Sequence, residues 1–154
     1  MIALRLVRLI ESHSEPLSDG LIRKLLKSER TADLRKVPTG ELHARCHEIY
    51  RNLSAWLMTK TEAEIERVYA HLGARRAAQG VSLSALSWAI ILTKEHLWAF
   101  LEREGLLEKP MEILGELELL RLLDQFFDRA VYYATQGYEG YLQAHDPVKA
   151  RVAS

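Results

Sequence analysis

The stretch "SLSALSWAIILTKEHLWAFLEREG", residues 82–105, decides the fold class because its apolar residues follow the period of one long helix. Ser82 is a typical N-cap residue, and Gly105 is a typical terminator. The most apolar positions lie three, four or seven residues apart and share one helical face: Leu83, Leu86, Ile90, Leu97 and Leu101. The pattern predicts a helix from Leu83 to about Glu104.

Two more helices are predicted directly before this one, between residues 39 and 80. The first follows Thr39, a candidate N-cap, and the second starts at Thr61, where Thr61 and Glu64 have the spacing of a capping box. Gly80 then suits a helix C-terminus. The buried face of the first of these helices is spaced four, three, four and three residues: Leu42, Cys46, Ile49, Leu53 and Trp56.

The N-terminal forty residues also show helical spacing, with two interruptions. Apolar residues at 4, 7 and 10 predict a first helix, and those between 17 and 26 predict a second. The segments "SHSEP" (12–16) and "SERTADLRKVPTG" (28–40) are polar and are interpreted as breaks between helices. No alternation typical of strands is visible, so the fold class is all-α with about six helices.

The last predicted helix is unusually long. Pro110 suits a first helical turn, and the pattern continues from Met111 to about Gln143. At about 1.5 Å per residue this helix is nearly 50 Å long, more than the width of a domain of this size. We therefore expect either a bend near Gly115 or Gly137, or an end that projects from the domain.

The apolar band on this last helix is wider than one packing partner needs. A second copy of the chain would cover the remainder, and amphipathic tyrosines near the C-terminus suit such a contact. The alternative is that the whole band packs inside one monomer. The predicted dimer contacts are the following residues: Leu119, Leu122, Phe126, Phe127 and Tyr133.

Composition narrows the class of protein. The 154 residues suggest one domain, here residues 1–143, followed by a tail or linker at 144–154. The formal net charge is zero, which argues against a nucleic-acid or anionic-membrane partner. The single cysteine allows no internal disulfide, and no signal peptide or membrane span is visible. The expected location is the cytoplasm.

His96 is the one candidate for cofactor binding. It lies between the apolar and polar stripes of the helix quoted above, so it is expected at the margin of the core. A haem ligand would need an open apolar slot and an orienting partner, and the sequence indicates neither. The expectation is therefore no cofactor, with a haem- or small apolar ligand-binding globin-type sensor as the alternative.

His43 and His47 are four residues apart and share a helical face, which makes them half of a metal site. A complete site needs further ligands from another helix, and the sequence indicates none. The pair is therefore interpreted as solvent-exposed, and no metal is expected. The sequence also contains no phosphate loop, nucleophile elbow or His-Glu-x-x-His motif, so a catalytic function is not expected.

Three stretches carry a resemblance to a known family: "LVRLIESHSEPLSDGLIRKLL" (6–26), "EIYRNLSAWL" (48–57) and "LGARRAAQGVSLSALSWAIILTKEHLW" (72–98). The third, which includes Gly73, is the most specific. The chain resembles the N-terminal sensory domain of RsbR-type (RsbRD) co-antagonists of the switch kinase RsbT. The similarity runs over about residues 4–143.

The resemblance implies a globin-like, all-helical domain of bacterial stress signalling that forms homodimers and generally lacks haem. In the family this domain precedes a STAS domain, which carries phosphorylatable threonines and contacts the kinase. No residue of this sequence matches those functions, so they are not carried over. The expected function is a non-enzymatic sensory or regulatory domain, whose partners are a second copy of itself and STAS-domain or switch-kinase-type proteins.

Overall fold

The computed structural model describes the backbone of residues 2–104 and 110–146, and the side chains of residues 5–104 and 117–146. Within these ranges the chain is all-α, as predicted, with no strand. The described residues form six α-helices, together with a 3₁₀ segment, Glu29–Lys36, and a short π-helical turn, Ala55–Thr59. The α-helices are α1 (Ile2–Ser12), α2 (Ser14–Lys27), α3 (Thr39–Arg51), α4 (Glu62–Ala78), α5 (Leu83–Arg103) and α6 (Pro110–Ala144).

The predicted start signals of α4 and α5 are confirmed. The Thr61 hydroxyl accepts a hydrogen bond from the Glu64 amide at 3.2 Å, and the Glu64 carboxylate accepts one from the Thr61 amide at 2.8 Å. The Ser82 hydroxyl accepts from the Ala85 amide at 3.2 Å. Gly80, with φ of +77°, ends α4 in the left-handed conformation that glycine adopts without strain. These caps satisfy amides that the helices themselves leave unpaired.

Two predicted breaks are wrong in detail. "SHSEP" forms no loop: α1 and α2 are separated by His13 alone. "SERTADLRKVPTG" is mostly 3₁₀ helix, and α3 has Pro38 at its N-cap position, with Thr39 already helical. The helix therefore begins one residue earlier than a threonine cap would place it.

Helix α6 is a single helix from Pro110 to Ala144, which agrees with the prediction to within one residue at each end. It passes through the positions of Gly115 and Gly137 without interruption, so neither glycine breaks it. The predicted terminator Gly105 and residues 147–154 of the predicted tail lie outside the described residues.

Helix α6 organises the packing. It runs along α4 more extensively than any other described pair of elements, and it also contacts α1, α5 and the π-helical turn. On the other side, α2 packs against α3, α5 and the 3₁₀ segment. One continuous core joins all of these elements. No described helix combines the length and the apolarity needed to cross a membrane.

The contact between α4 and α6 depends on two glycines. A Cβ at Gly73 would overlap the carbonyl group of Ala134, and a Cβ at Gly137 would overlap the backbone of Ala70. The two helices therefore approach backbone to backbone at a crossing made of small residues. Gly137, which the sequence suggested as a bend, is required for this close approach.

Candidate functional site

The structure divides the predicted dimer contacts into two groups. Leu119, Phe126 and Phe127 are at most 3% exposed and belong to the core of the single chain. A second copy could reach them only by opening that core. Leu122 and Tyr133 are partly exposed, so they are the two predicted contacts with surface that a partner could cover.

The outer face of α6 carries exposed apolar side chains that are not among the five predicted dimer contacts. Leu117, Tyr132 and Leu142 are 52%, 61% and 51% exposed, and they are the large apolar residues of α6 with the most exposed surface among those described. At 3.6 residues per turn, the three side chains lie within an arc of about 80°. They therefore face the same side of α6, which we call the outer stripe of α6. The exposed residues Arg121, Asp124 and Asp128 lie between Leu117 and Tyr132 on this side.

The tyrosines near the end of α6 have different roles. Tyr138 donates a hydrogen bond to the Val81 carbonyl at 2.6 Å and so ties α6 to the turn between α4 and α5. Tyr133 donates to the Glu62 carboxylate at 2.8 Å, next to Arg129. Tyr132 only packs edge-on against Tyr133, with ring centroids 5.4 Å apart, and its surface remains available.

His96 lies deeper than predicted, with 9% of its surface exposed. Its ring packs on Gly20 of α2, where a Cβ would be 3.0 Å from the imidazole, and its Nδ1 is buried with no hydrogen-bond partner. Burial lowers the pKa of His96 to about 4, and Lys24, Arg103 and Arg23 act in the same direction. The imidazole is therefore neutral at pH 7.

An apolar cavity of about 50 Å³ lies elsewhere in the core, and His96 is not in its wall. Tyr69 lines it, and the Tyr69 hydroxyl is buried without a hydrogen-bond partner. Cys46 also lines it, and burial raises the pKa of this thiol to about 12. A cavity of roughly 150 Å³ is needed to hold a molecule such as benzene. This one is too small for haem, and it accommodates only a ligand of very few atoms.

A polar cluster closes one side of the cavity. Arg76 is 3% exposed and donates to the carboxylate of Glu41 and to the side-chain oxygen of Gln79, both at 2.8 Å. Arg75 also bonds Glu41, and these arginine contacts lower the pKa of Glu41 to about 2. The charge of this buried arginine is thus paired with a carboxylate through Nη1. The cluster joins the start of α3 to the end of α4.

His43 and His47 are not simply solvent-exposed. They face two carboxylates of α2, Glu15 and Asp19, and their rings stack with centroids 5.9 Å apart. Sequence reasoning did not associate these residues, although Glu15 and Asp19 have the same four-residue spacing as the two histidines. Only the packing of α2 on α3 brings the two pairs together.

The fold and its surfaces define a class of protein: a helical domain whose long terminal helix is anchored along one side and presents its other side to solvent. Residues 15–150 match the family described as the RsbT co-antagonist protein rsbRD N-terminal domain. The chain belongs to this family. The family resemblance seen in the sequence is thereby confirmed. No curated protein and no solved structure matches the chain.

Proposed function

We propose that this protein is a non-enzymatic sensory or regulatory domain of bacterial stress signalling that acts as a homodimer. Membership of the RsbRD N-terminal family supports the regulatory role. The observation that carries the dimer is the outer stripe of α6, which leaves Leu117, Tyr132 and Leu142 largely uncovered along one face. Apolar surface of this kind is stabilised when another protein removes it from water.

The geometry of α6 suits the transmission of a signal. Because α6 contacts α1, α4, α5 and the π-helical turn, a change in the body of the domain acts on the same helix that presents the dimer surface. A small shift of a helix at a subunit interface is a common way to couple two sites. STAS-domain or switch-kinase-type proteins are the partners that the family suggests.

The alternative function, a haem- or apolar ligand-binding globin-type sensor, is less well supported by the geometry. His96 packs on Gly20 of α2 and is separate from the apolar cavity. That cavity is far smaller than the roughly 300–1,000 Å³ of typical ligand pockets. Binding of haem at His96 would therefore require α2 and α5 to separate.

The dimer is tested by measuring mass in solution by light scattering at high micromolar concentration. We expect the wild type to have twice the mass of the chain, and a Tyr132→Lys, Leu142→Lys double variant to be monomeric because two buried charges would oppose association. Met58→Lys is the matched control, since Met58 is 46% exposed but lies on the π-helical turn and is not part of the outer stripe. A monomeric wild type, or equal disruption by the control, would contradict the proposal.

A further inference from the structure

The contact between α2 and α3 contains a cluster of four groups that can bind a metal ion. Glu15 and Asp19 lie one turn apart on α2, and His43 and His47 lie one turn apart on α3. Residues four apart on a helix share a face, so each helix contributes a pair of donors to the same side of the contact. Glu15 and Asp19 thus supply, from a second helix, the further ligands that a metal site at His43 and His47 needs.

Three of the four groups are close enough to share one ion: the ligand atoms of Glu15, Asp19 and His43 all lie within 4.8 Å of one another. The Nε2 atom of His43 is 3.2 Å from Asp19 Oδ1 and 3.5 Å from Glu15 Oε2. The Nε2 atom of His47 is 3.1 Å from Glu15 Oε1. Around a tetrahedral zinc ion with bonds of about 2.0–2.1 Å, neighbouring ligand atoms are roughly 3.3 Å apart. Glu15, Asp19 and His43 therefore need little rearrangement to bind one ion. His47 contacts the other oxygen of Glu15, so its side chain would have to turn to bind the same ion.

The charges in the cluster also favour a cation. Among the described residues, neither Glu15 nor Asp19 forms an ion pair with a lysine or arginine, and their only ionic partners are the two histidines. An exposed histidine–carboxylate pair contributes about 0–1 kcal/mol at most. Two carboxylates beside two imidazole nitrogens thus present negative charge that a divalent cation would balance.

The cluster is accessible to an ion from solvent. The carboxylates are 63% and 54% exposed, so an ion can enter from solvent, whereas the imidazoles of His43 and His47 are only 35% and 30% exposed and are held by packing. The hydroxyl of the buried Ser14 lies 3.3 Å from His47 Nε2, on the inner side of the cluster.

We propose that Glu15, Asp19 and His43 form a zinc site that links α2 to α3, and that the neighbouring His47 turns to supply a fourth ligand. Imidazole nitrogen and carboxylate oxygen are ligands that zinc commonly takes, and among divalent first-row ions zinc binds such sites more tightly than manganese or iron. The ion would stabilise the folded domain, because the two halves of the site separate when the chain unfolds.

The test is calorimetric titration of the untagged, metal-free protein with zinc chloride, repeated with cobalt(II) chloride to record the visible spectrum of the bound ion. We expect one zinc ion per chain, and a tetrahedral cobalt spectrum. A saturating excess of about 100 times Kd should raise Tm by roughly 5–10 °C. His43→Ala should weaken binding more than about 100-fold, because losing a ligand exceeds the 10–100-fold cost of losing an orienting partner.

His71→Ala is the matched control, because His71 is an exposed histidine on α4 outside the cluster. Glu15→Gln provides a second variant, since it removes a charge with little change of shape. Equal far-UV circular dichroism of all metal-free variants shows that they fold. The proposal is overturned if the wild type does not bind zinc at about 100 μM, a concentration on the order of the Kd of a weak surface contact. It is also overturned if His43→Ala and His71→Ala lower the affinity equally.

Discussion

At the scale of single residues, burial changes the chemistry of side chains that the sequence presents as ordinary. His96 was expected at the margin of the core and is instead a buried, neutral imidazole packed on Gly20. Arg76 belongs to a helix end rich in solvated charges, yet it is 3% exposed and paired with Glu41. Each case depends on which neighbouring helix covers the side chain.

The lowered pKa of His96 predicts a specific loss of stability in mild acid. In the unfolded chain this histidine gains a proton near its ordinary pKa of 6.5, whereas in the folded chain it stays neutral down to a pKa of about 4. The unfolded state therefore binds more protons in this window, and the free energy of unfolding falls as the pH is lowered from about 6.5 to about 4. The contribution is roughly 2–3 kcal/mol.

Urea unfolding at pH 7.5, 6 and 5 measures this effect. His96→Gln, which cannot titrate, should lose less stability between pH 7.5 and 5 than the wild type. His71→Gln, an exposed control, should keep the wild-type dependence. Identical slopes for His96→Gln and the wild type would contradict a buried neutral imidazole.

At the scale of helices, the crossing of α4 and α6 is the contact most sensitive to small changes. Gly73 and Gly137 allow the two backbones to touch, and Tyr138 adds a hydrogen bond from α6 to the Val81 carbonyl just beyond α4. Because α6 also carries the outer stripe, this crossing sets the position of the proposed dimer surface relative to the body of the domain.

Three glycine-to-alanine substitutions test this crossing. Replacing glycine by alanine within a helix normally gains about 0.5–1 kcal/mol. At Gly73 and Gly137 the added methyl overlaps backbone atoms, so we expect each variant to lose about 1–3 kcal/mol or more. Gly140 has open space where an added methyl group would lie, so Gly140→Ala should show the ordinary gain. Denaturant unfolding of the three variants gives the comparison, and a stabilised Gly73→Ala would refute the close approach.

At the scale of the whole molecule, the described helices share one hydrophobic core. The ring of Trp56 on the π-helical turn packs against Tyr69 of α4 and Phe126 of α6, at centroid distances of 5.7 and 5.5 Å. The Tyr50 hydroxyl on α3 donates to the Thr93 carbonyl of α5 at 2.9 Å. No group of helices within the described residues is thus separated from the common core.

This continuity predicts one unfolding transition. Far-UV circular dichroism reports on all helices, whereas tryptophan fluorescence reports mainly on the packing around residues such as Trp56. We expect the two probes to give the same urea midpoint at a fixed protein concentration, as two-state unfolding requires. Separate midpoints would contradict a single unfolding transition.

The sequence by itself determined most of the helices, the N-caps of α4 and α5, and the family. Helical hydrogen bonds and caps join residues within a few positions of each other, so the spacing of Leu86 and Ile90, or of Thr61 and Glu64, contains the necessary information. The length of α6 followed in the same way. The π-helical turn was not predicted, because it adds a single residue to an otherwise helical pattern.

Only the tertiary structure decided which surfaces meet. The apolar band of α6 predicted a dimer through Leu119 and Phe126, but packing on the chain's own helices buries both and leaves Tyr132 exposed instead. Likewise, the pairing of His43 with Glu15 depends on α2 lying against α3. Contacts of this kind join residues far apart in the chain. Which residues meet depends on how all the helices pack around one core, and the local spacing of residues contains no information about that packing.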